Sequence, residues 1–198
     1  MDIKKVYTNE GKCISGLLQI NPKLFYDSRG FFSESWNKKI WEETLKSQNQ
    51  SCKTFVQDNH SRSKKGTLRG LHYQIDPFPQ GKLIKCIHGK IYDVAVDLRI
   101  GSETFGSWAG IELSSENNIQ FWIPRGFAHG FLTLSEEADV FYKVDKYWDK
   151  SSERSLNWND NKLNIDWPKN YIKPTEIELS TKDKNAPFLD QLGKGDLF

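Results

Sequence analysis

The 198-residue chain is 37% hydrophobic and 27% charged with a formal net charge of +2, enough for one sizeable core and too nearly neutral to point to nucleic acid. No long apolar stretch follows the opening Met1-Asp2-Ile3-Lys4-Lys5, so neither a signal peptide nor a membrane span is expected. Cys13, Cys52 and Cys86 share no CxxC spacing, which gives neither a zinc site nor a disulfide framework and fits a reducing cytosol; the 13% aromatic content favours a β-rich protein able to stack rings against a ligand.

In chain order, residues 17–20 read as a short strand stopped by Pro22. Leu24-Phe25-Tyr26 leads into the turn signal Asp27-Ser28-Arg29-Gly30, and residues 31–36 follow as another strand. Asn37 is suited to cap a helix over residues 38–47, with Ile40, Trp41, Thr44 and Leu45 as its apolar face. The densest basic run, Ser61-Arg62-Ser63-Lys64-Lys65, reads as a solvated loop. Residues 68–74 form a strand, and a proline-bearing loop at 75–81 separates it from a strand over 82–88. His88-Gly89-Lys90 is a hairpin turn into residues 91–99, where Val94, Val96 and Leu98 alternate with Asp93, Ala95, Asp97 and Arg99. Strands at 105–113, 119–123, 127–134 and 140–147 complete the series. From Trp148 onward the chain is polar and irregular, with apolar anchors at Leu156, Trp158, Ile165, Trp167 and Leu179. Many short strands without strand–helix alternation imply an all-β sandwich or barrel, one domain over residues 1–198.

The chemistry concentrates in Leu68-Arg69-Gly70-Leu71-His72-Tyr73-Gln74. Strand alternation puts Arg69, Leu71 and Tyr73 on one face and Gly70, His72 and Gln74 on the other, unless a bulge at Gly70 turns Arg69 and His72 together. The Arg fork suits a phosphate, and the imidazole suits proton transfer near neutral pH. The plainer alternative is a core strand with a satisfied histidine and a surface arginine. His60, His72, His88 and His129 include no His-x-His pair, so no metal site is expected. Acid–base chemistry also needs an acid and a charge to hold a developing anion. Lys82 is either that charge or an exposed strand-end lysine. Tyr142 is either a proton donor or a packing residue, and Asp183 is a lone tail carboxylate. Residue types alone leave these roles open.

Further blocks surround that strand: Asp27-Ser28-Arg29-Gly30-Phe31-Phe32, Phe55-Val56-Gln57-Asp58-Asn59, Gln80-Gly81-Lys82-Leu83, Asp93-Val94-Ala95-Val96-Asp97-Leu98-Arg99, Ile123-Pro124-Arg125-Gly126-Phe127-Ala128-His129-Gly130-Phe131, Tyr142-Lys143, Trp158-Asn159-Asp160 and Leu179-Ser180-Thr181-Lys182-Asp183. In this order, over nearly the whole chain, they resemble the dTDP-4-dehydrorhamnose 3,5-epimerase family, metal-free cupin-like enzymes of deoxysugar biosynthesis. The resemblance implies a cupin-like jelly-roll barrel with a few short helices and an irregular C-terminal tail. It implies His72 as base with Asp183 as its partner, Tyr142 returning a proton from the opposite face, and Lys82 stabilising the enolate oxygen. Arg29 and Arg69 match diphosphate-binding positions, and Glu34, Gln57, Asp58, Asn59, His129, Glu153 and Lys182 match further substrate contacts. Tyr147 and Trp148 stand where the family stacks the nucleobase, with Trp148 where many members carry Tyr.

The implied substrate is a nucleoside-diphosphate 4-keto-6-deoxyhexose, with dTDP as the carrier and no metal or redox cofactor. The resemblance also implies a cytoplasmic homodimer with shared sites, in which Arg29 and Glu34 act across the interface, and a product destined for lipopolysaccharide or capsule. The rival readings are an epimerase acting at C3 or C5 alone, a sugar-nucleotide-binding cupin without catalysis, and a metal-dependent cupin.

Overall fold

Two antiparallel sheets packed face to face carry the chain in the computed structural model, which describes residues 1–51 and 54–198. The first half contributes β1 (Asp2–Tyr7), β2 (Cys13–Asn21), β3 (Phe25–Asp27), β4 (Gly30–Phe32), α1 (Lys38–Ser47), β5 (Gln57–Lys64), β6 (Leu68–Gln74) and β7 (Lys82–His88). Then come β8 (Lys90–Asp97), β9 (Trp108–Ser114), β10 (Gln120–Ile123), β11 (Phe127–Thr133), β12 (Glu137–Val144), β13 (Glu153–Ser155) and α2 (Thr181–Lys184). One sheet runs β1-β2-β10-β7-β12-β5, the other β13-β6-β11-β8-β9, and β3 and β4 form a separate hairpin. The fold is all-β and cupin-like.

Three apolar clusters follow from the strand pattern. Between the sheets, Ile14, Leu17, Ile84, Phe121 and Val140 meet Ile91, Ala95, Phe127 and Phe131. Outside the five-stranded sheet, Leu68, Leu71, Tyr73, Val94, Val96 and Leu98 lie beneath Leu156, Leu163, Ile165, Trp167 and Ile172 of the C-terminal segment. Outside the six-stranded sheet, Leu18, Ile20, Leu83 and Trp122 pack on Trp41 and Leu45 of α1. β8 is therefore buried on both faces, which explains its mixture of aliphatic residues with the fully buried Asp93 and Asp97.

Helix α1 has the expected bounds. Asn37 Oδ1 accepts from the Ile40 N–H at 3.2 Å, a cap that contributes about 1 kcal/mol. Its buried face is Trp41, Thr44 and Leu45, and Ile40 is exposed.

Several elements differ from the sequence reading. The basic run at 61–65 is not a loop: residues 61–64 belong to β5, an edge strand paired with β12, where Arg62 bonds both oxygens of Asp139 at 2.8 Å. The strand expected over 31–36 stops at Phe32, and the one expected to reach residue 147 stops at Val144. β1, β13 and α2 were not anticipated, and the last two give the supposedly irregular tail regular structure. Among the described residues no helix is long and apolar enough to cross a membrane. Cys13 and Cys86 are free thiols; Cys52 lies outside the described residues.

Candidate active site

The pairing of β6 with β11 sets the site. His72 lies opposite His129 and Arg69 opposite Phe131, so three steps on β6 match two on β11. The extra residue is absorbed at Gly70, whose φ of +132° excludes ordinary side chains. A Cβ there would also come within 2.5 Å of Gly130 Cα and 2.9 Å of the His129 carbonyl oxygen. The bulge turns Arg69 and His72 to the same face. Phe131 and Ala95, which share their cross-strand rows, belong to the inter-sheet core, whereas Leu68, Leu71 and Tyr73 pack outside.

Asp183 reaches His72 because the C-terminal segment is pinned on both sides of α2. Before it, Leu68 N–H donates to Glu178 O at 3.0 Å and Glu178 N–H to Gly66 O at 2.9 Å. After it, Asn157 holds the carbonyls of Ala186 (3.1 Å) and Pro187 (2.8 Å). Ser180 caps the helix, its hydroxyl oxygen accepting from the Asp183 N–H at 3.1 Å. The Asp183 carboxyl then stands 2.5 Å from His72 Nε2. Burial pushes that carboxyl up, but bonds from His72, Ser180 and the Gly70 N–H outweigh it and hold it below the ordinary carboxylate range. With Nε2–H donating to Asp183, Nδ1 is the basic nitrogen of the ring.

The six-stranded sheet supplies the groups opposite. Lys82 pairs with Ile123 on β10 and Val144 on β12, and its Nζ donates to the His72 carbonyl at 3.4 Å. Lys82 is buried, not an exposed strand-end residue. Burial draws its ammonium down to about 8 against the opposing pull of Asp93 and Glu153. Tyr142, level with Ile84 of the inter-sheet core, packs against that core. Burial raises its phenol, and the nearby Arg69 charge lowers it. Arg69 reaches across to β5, its Nε donating to Ser63 Oγ at 2.9 Å.

A second histidine–carboxylate pair lies beside the first. His129 Nε2 is 3.0 Å from Asp93 Oδ2, with both groups buried. Burial lowers His129 and raises Asp93. Asp93 was not among the residues singled out from the sequence. Its signal was an acid on a strand buried on both sides, where a carboxyl requires a partner.

The remaining expected residues divide. Glu153 on β13 pairs with Lys182 on α2 at 2.7 Å. Burial raises the Glu153 carboxyl, while Lys182 and the Trp148 side chain lower it, for a net downward shift. Gln57 and Asn59 share the inner face of β5, where Gln57 Nε2 donates to Asn59 Oδ1 at 2.8 Å. Asp58 points the other way and holds Lys143 at 2.9 Å, so within one chain it is not part of the His72 cluster. Tyr147 and Trp148 present exposed rings beside Gln57. Arg29 and Glu34 are also apart from the cluster. Arg29 sits on the exposed β3–β4 hairpin, bonded to Asp27 at 2.5 Å, and Glu34 is exposed just beyond it.

A half-buried histidine on a buried carboxylate, with a phenol and a buried ammonium on the opposite sheet, is an arrangement able to abstract a proton next to a carbonyl and to hold the enolate. Among the described residues no group of three or more His, Cys, Asp or Glu is arranged to hold a metal ion.

Comparison with known proteins identifies the family. The family model described as dTDP-4-dehydrorhamnose 3,5-epimerase matches residues 12–191. The chain is 52% identical over 178 residues to the Salmonella typhimurium protein of that name, covering 90% of this chain and 93% of the relative. A crystal structure of the dTDP-6-deoxy-D-glucose-3,5-epimerase of Legionella pneumophila, in complex with dTDP-4-keto-L-rhamnose, superposes with a TM-score of 0.88 at 46% identity, covering 99% of this chain and 97% of that one. A 3'-monoepimerase of Streptomyces bikiniensis in complex with dTDP-quinovose superposes with a TM-score of 0.79 at 32% identity, covering 88% and 84%.

Proposed function

The chain belongs to the dTDP-4-dehydrorhamnose 3,5-epimerase family, and from that premise we propose how its own residues carry the reaction. The protein is an isomerase of dTDP-rhamnose biosynthesis, converting dTDP-4-dehydro-6-deoxy-D-glucose to dTDP-4-dehydro-L-rhamnose by inversion at C3 and C5. His72 removes the proton at each centre, and Asp183 stabilises the imidazolium formed. Both carbons flank the C4 ketone, so one cation at its oxygen, Lys82, serves both enolates. Tyr142 donates a proton to the opposite face of each. After each inversion His72 releases its proton to solvent and Tyr142 regains one, so both are reset before the second centre reacts. The observation that carries this reading is the His72–Asp183 contact on one sheet facing the same inter-sheet space as Lys82 and Tyr142 on the other.

Arg69 binds the diphosphate, and Gln57, Asn59, His129, Glu153 and Lys182 line the path from sugar to nucleotide. Tyr147 and Trp148 stack the nucleobase. We read the chain as one domain acting as a homodimer, with Arg29, Glu34 and Asp58 engaging the partner's substrate. Support comes from the hairpin, where Phe25, Tyr26, Phe31 and Phe32 are all at least half exposed beside Arg29. The reaction belongs in the cytoplasm and supplies a rhamnosyl donor for surface polysaccharide.

The test is solvent isotope uptake. In D2O the sugar of dTDP-4-keto-6-deoxy-D-glucose should gain two deuterons, at C3 and C5, by mass spectrometry. One deuteron would reduce the reading to single-centre epimerisation. None, from folded protein, would overturn it.

A further inference from the structure

The segment that carries Tyr147 and Trp148 lies beyond the end of β12 and has no ladder partner among the described residues. Its backbone is held by carboxamides instead. Gln80 Nε2 donates to Lys146 O at 2.8 Å, and Gln74 Nε2 donates to Tyr147 O at 3.2 Å. Trp148 N–H donates to Gln57 Oε1 at 3.1 Å, and Asp149 N–H to Gln74 Oε1 at 2.9 Å. Four consecutive residues are thus each fixed by a glutamine side chain from β5, β6 or the loop after it. Gln74 is central: it is 3% exposed, uses both ends of its carboxamide, and also donates to Phe78 O at 2.6 Å. It ties the 75–81 loop to the 145–149 segment. The backbone is locked while the rings stay out, Tyr147 at 64% and Trp148 at 55% exposure.

We propose that Gln74 is a positioning residue for nucleotide recognition, holding Tyr147 and Trp148 as a preformed stacking surface through the backbone on either side of Trp148. The inference rests on the reading that these rings take the nucleobase. A surface rigid before binding loses less freedom when the base arrives, so its contribution falls on affinity and not on the proton transfers at the sugar. Gln74 shares β6 with His72, so the strand that carries the base also sets the nucleotide platform.

The experiment compares Gln74→Met with the wild type, using dTDP and inorganic pyrophosphate as probes. Met keeps the length of the side chain and removes every polar contact. The expected result is a rise of roughly 10-fold in the dTDP dissociation constant and in KM. The kcat should stay within about 2-fold, and pyrophosphate affinity should not change, because that probe has no base to stack. Gln80→Ala, which removes a single bond, should shift dTDP affinity in the same direction by about 2-fold and keeps the test open if the buried substitution does not fold. Trp148→Ala separates the two layers. If it weakens dTDP while both glutamine variants bind normally, the stacking reading stands and the positioning role of Gln74 falls. If it leaves dTDP affinity unchanged, the stacking reading falls and takes the inference with it. Equal losses for dTDP and pyrophosphate in Gln74→Met would mean a general structural defect and would also overturn the proposal.

Discussion

His72–Asp183 and His129–Asp93 use the same two side-chain types, and their histidines sit opposite each other on β6 and β11. Their surroundings separate them. The imidazole of the first pair is 29% exposed and its carboxyl is held below the ordinary range by several donors. The imidazole of the second is 9% exposed. There burial drives the histidine down and the acid up, and Asp93 Oδ1 has no hydrogen-bond partner among the described residues. Donors favour the anion of Asp183 in the first pair, whereas burial opposes charge on both members of the second. The lesson is that a histidine–carboxylate contact does not define a base; the number of donors to the acid and the access of water decide which form is stable.

Truncation should break the likeness most visibly. His72→Ala should lower kcat by at least ~100-fold with the thermal midpoint nearly unchanged, because it removes the proton acceptor. His129→Ala should do the reverse. It strands the Asp93 acid in the interior and should cost about 1–3 kcal/mol of stability, with a smaller loss of kcat. Calorimetry and steady-state rates on both variants would test this, and equal rate losses with equal stability would erase the distinction. The carboxyls give a finer test through Lys82. Its ammonium is the active form and titrates at about 8, so kcat/KM should fall as pH rises through that value. Asp93 supports the charged form of Lys82, and Asp183 is not among the groups acting on it. Asp93→Asn should therefore move the alkaline limb below its wild-type position, whereas Asp183→Asn should lower the rate and leave the limb in place. A limb unmoved in Asp93→Asn would dissociate the second pair from Lys82. The same group affects stability in the opposite sense to activity. Between about 8 and the unfolded value of 10.5 the unfolded chain holds a proton that the folded one has lost, so this group's contribution to stability rises with pH across that window.

The parts of the fold legible in the sequence were those with one buried face or two. β6, β7, β8 and α1 declared themselves through apolar alternation, a cap or helical spacing. The strands that escaped, β1, β5 and β13, are all sheet edges. Edge strands carry charge to discourage further pairing, so β5 with Asp58, His60, Arg62 and Lys64 on one face looks like a solvated loop. In the site, the chemistry of His72 was visible in its residue type, but its direction depended on one residue of slack at Gly70. The burial of Lys82 and the arrival of Asp183 depend on contacts between distant segments, which no local pattern encodes. Motif order supplied those roles where local physics did not.

The dyad closes a long interval. Asp183 follows His72 by 111 residues, and the segment pinned by Gly66, Leu68 and Asn157 is what brings it back. During synthesis the base emerges with the first half of the barrel, long before its partner has been translated. A ribosome stalled anywhere between them, or a protease cut that frees the later segment, yields a chain with the base and without the acid that supports it. With Asp183 in its proposed role, full epimerase activity is a late product of translation, acquired only after the wrap around the five-stranded sheet is made. Partial chains carrying most of the barrel would lack the proposed dyad.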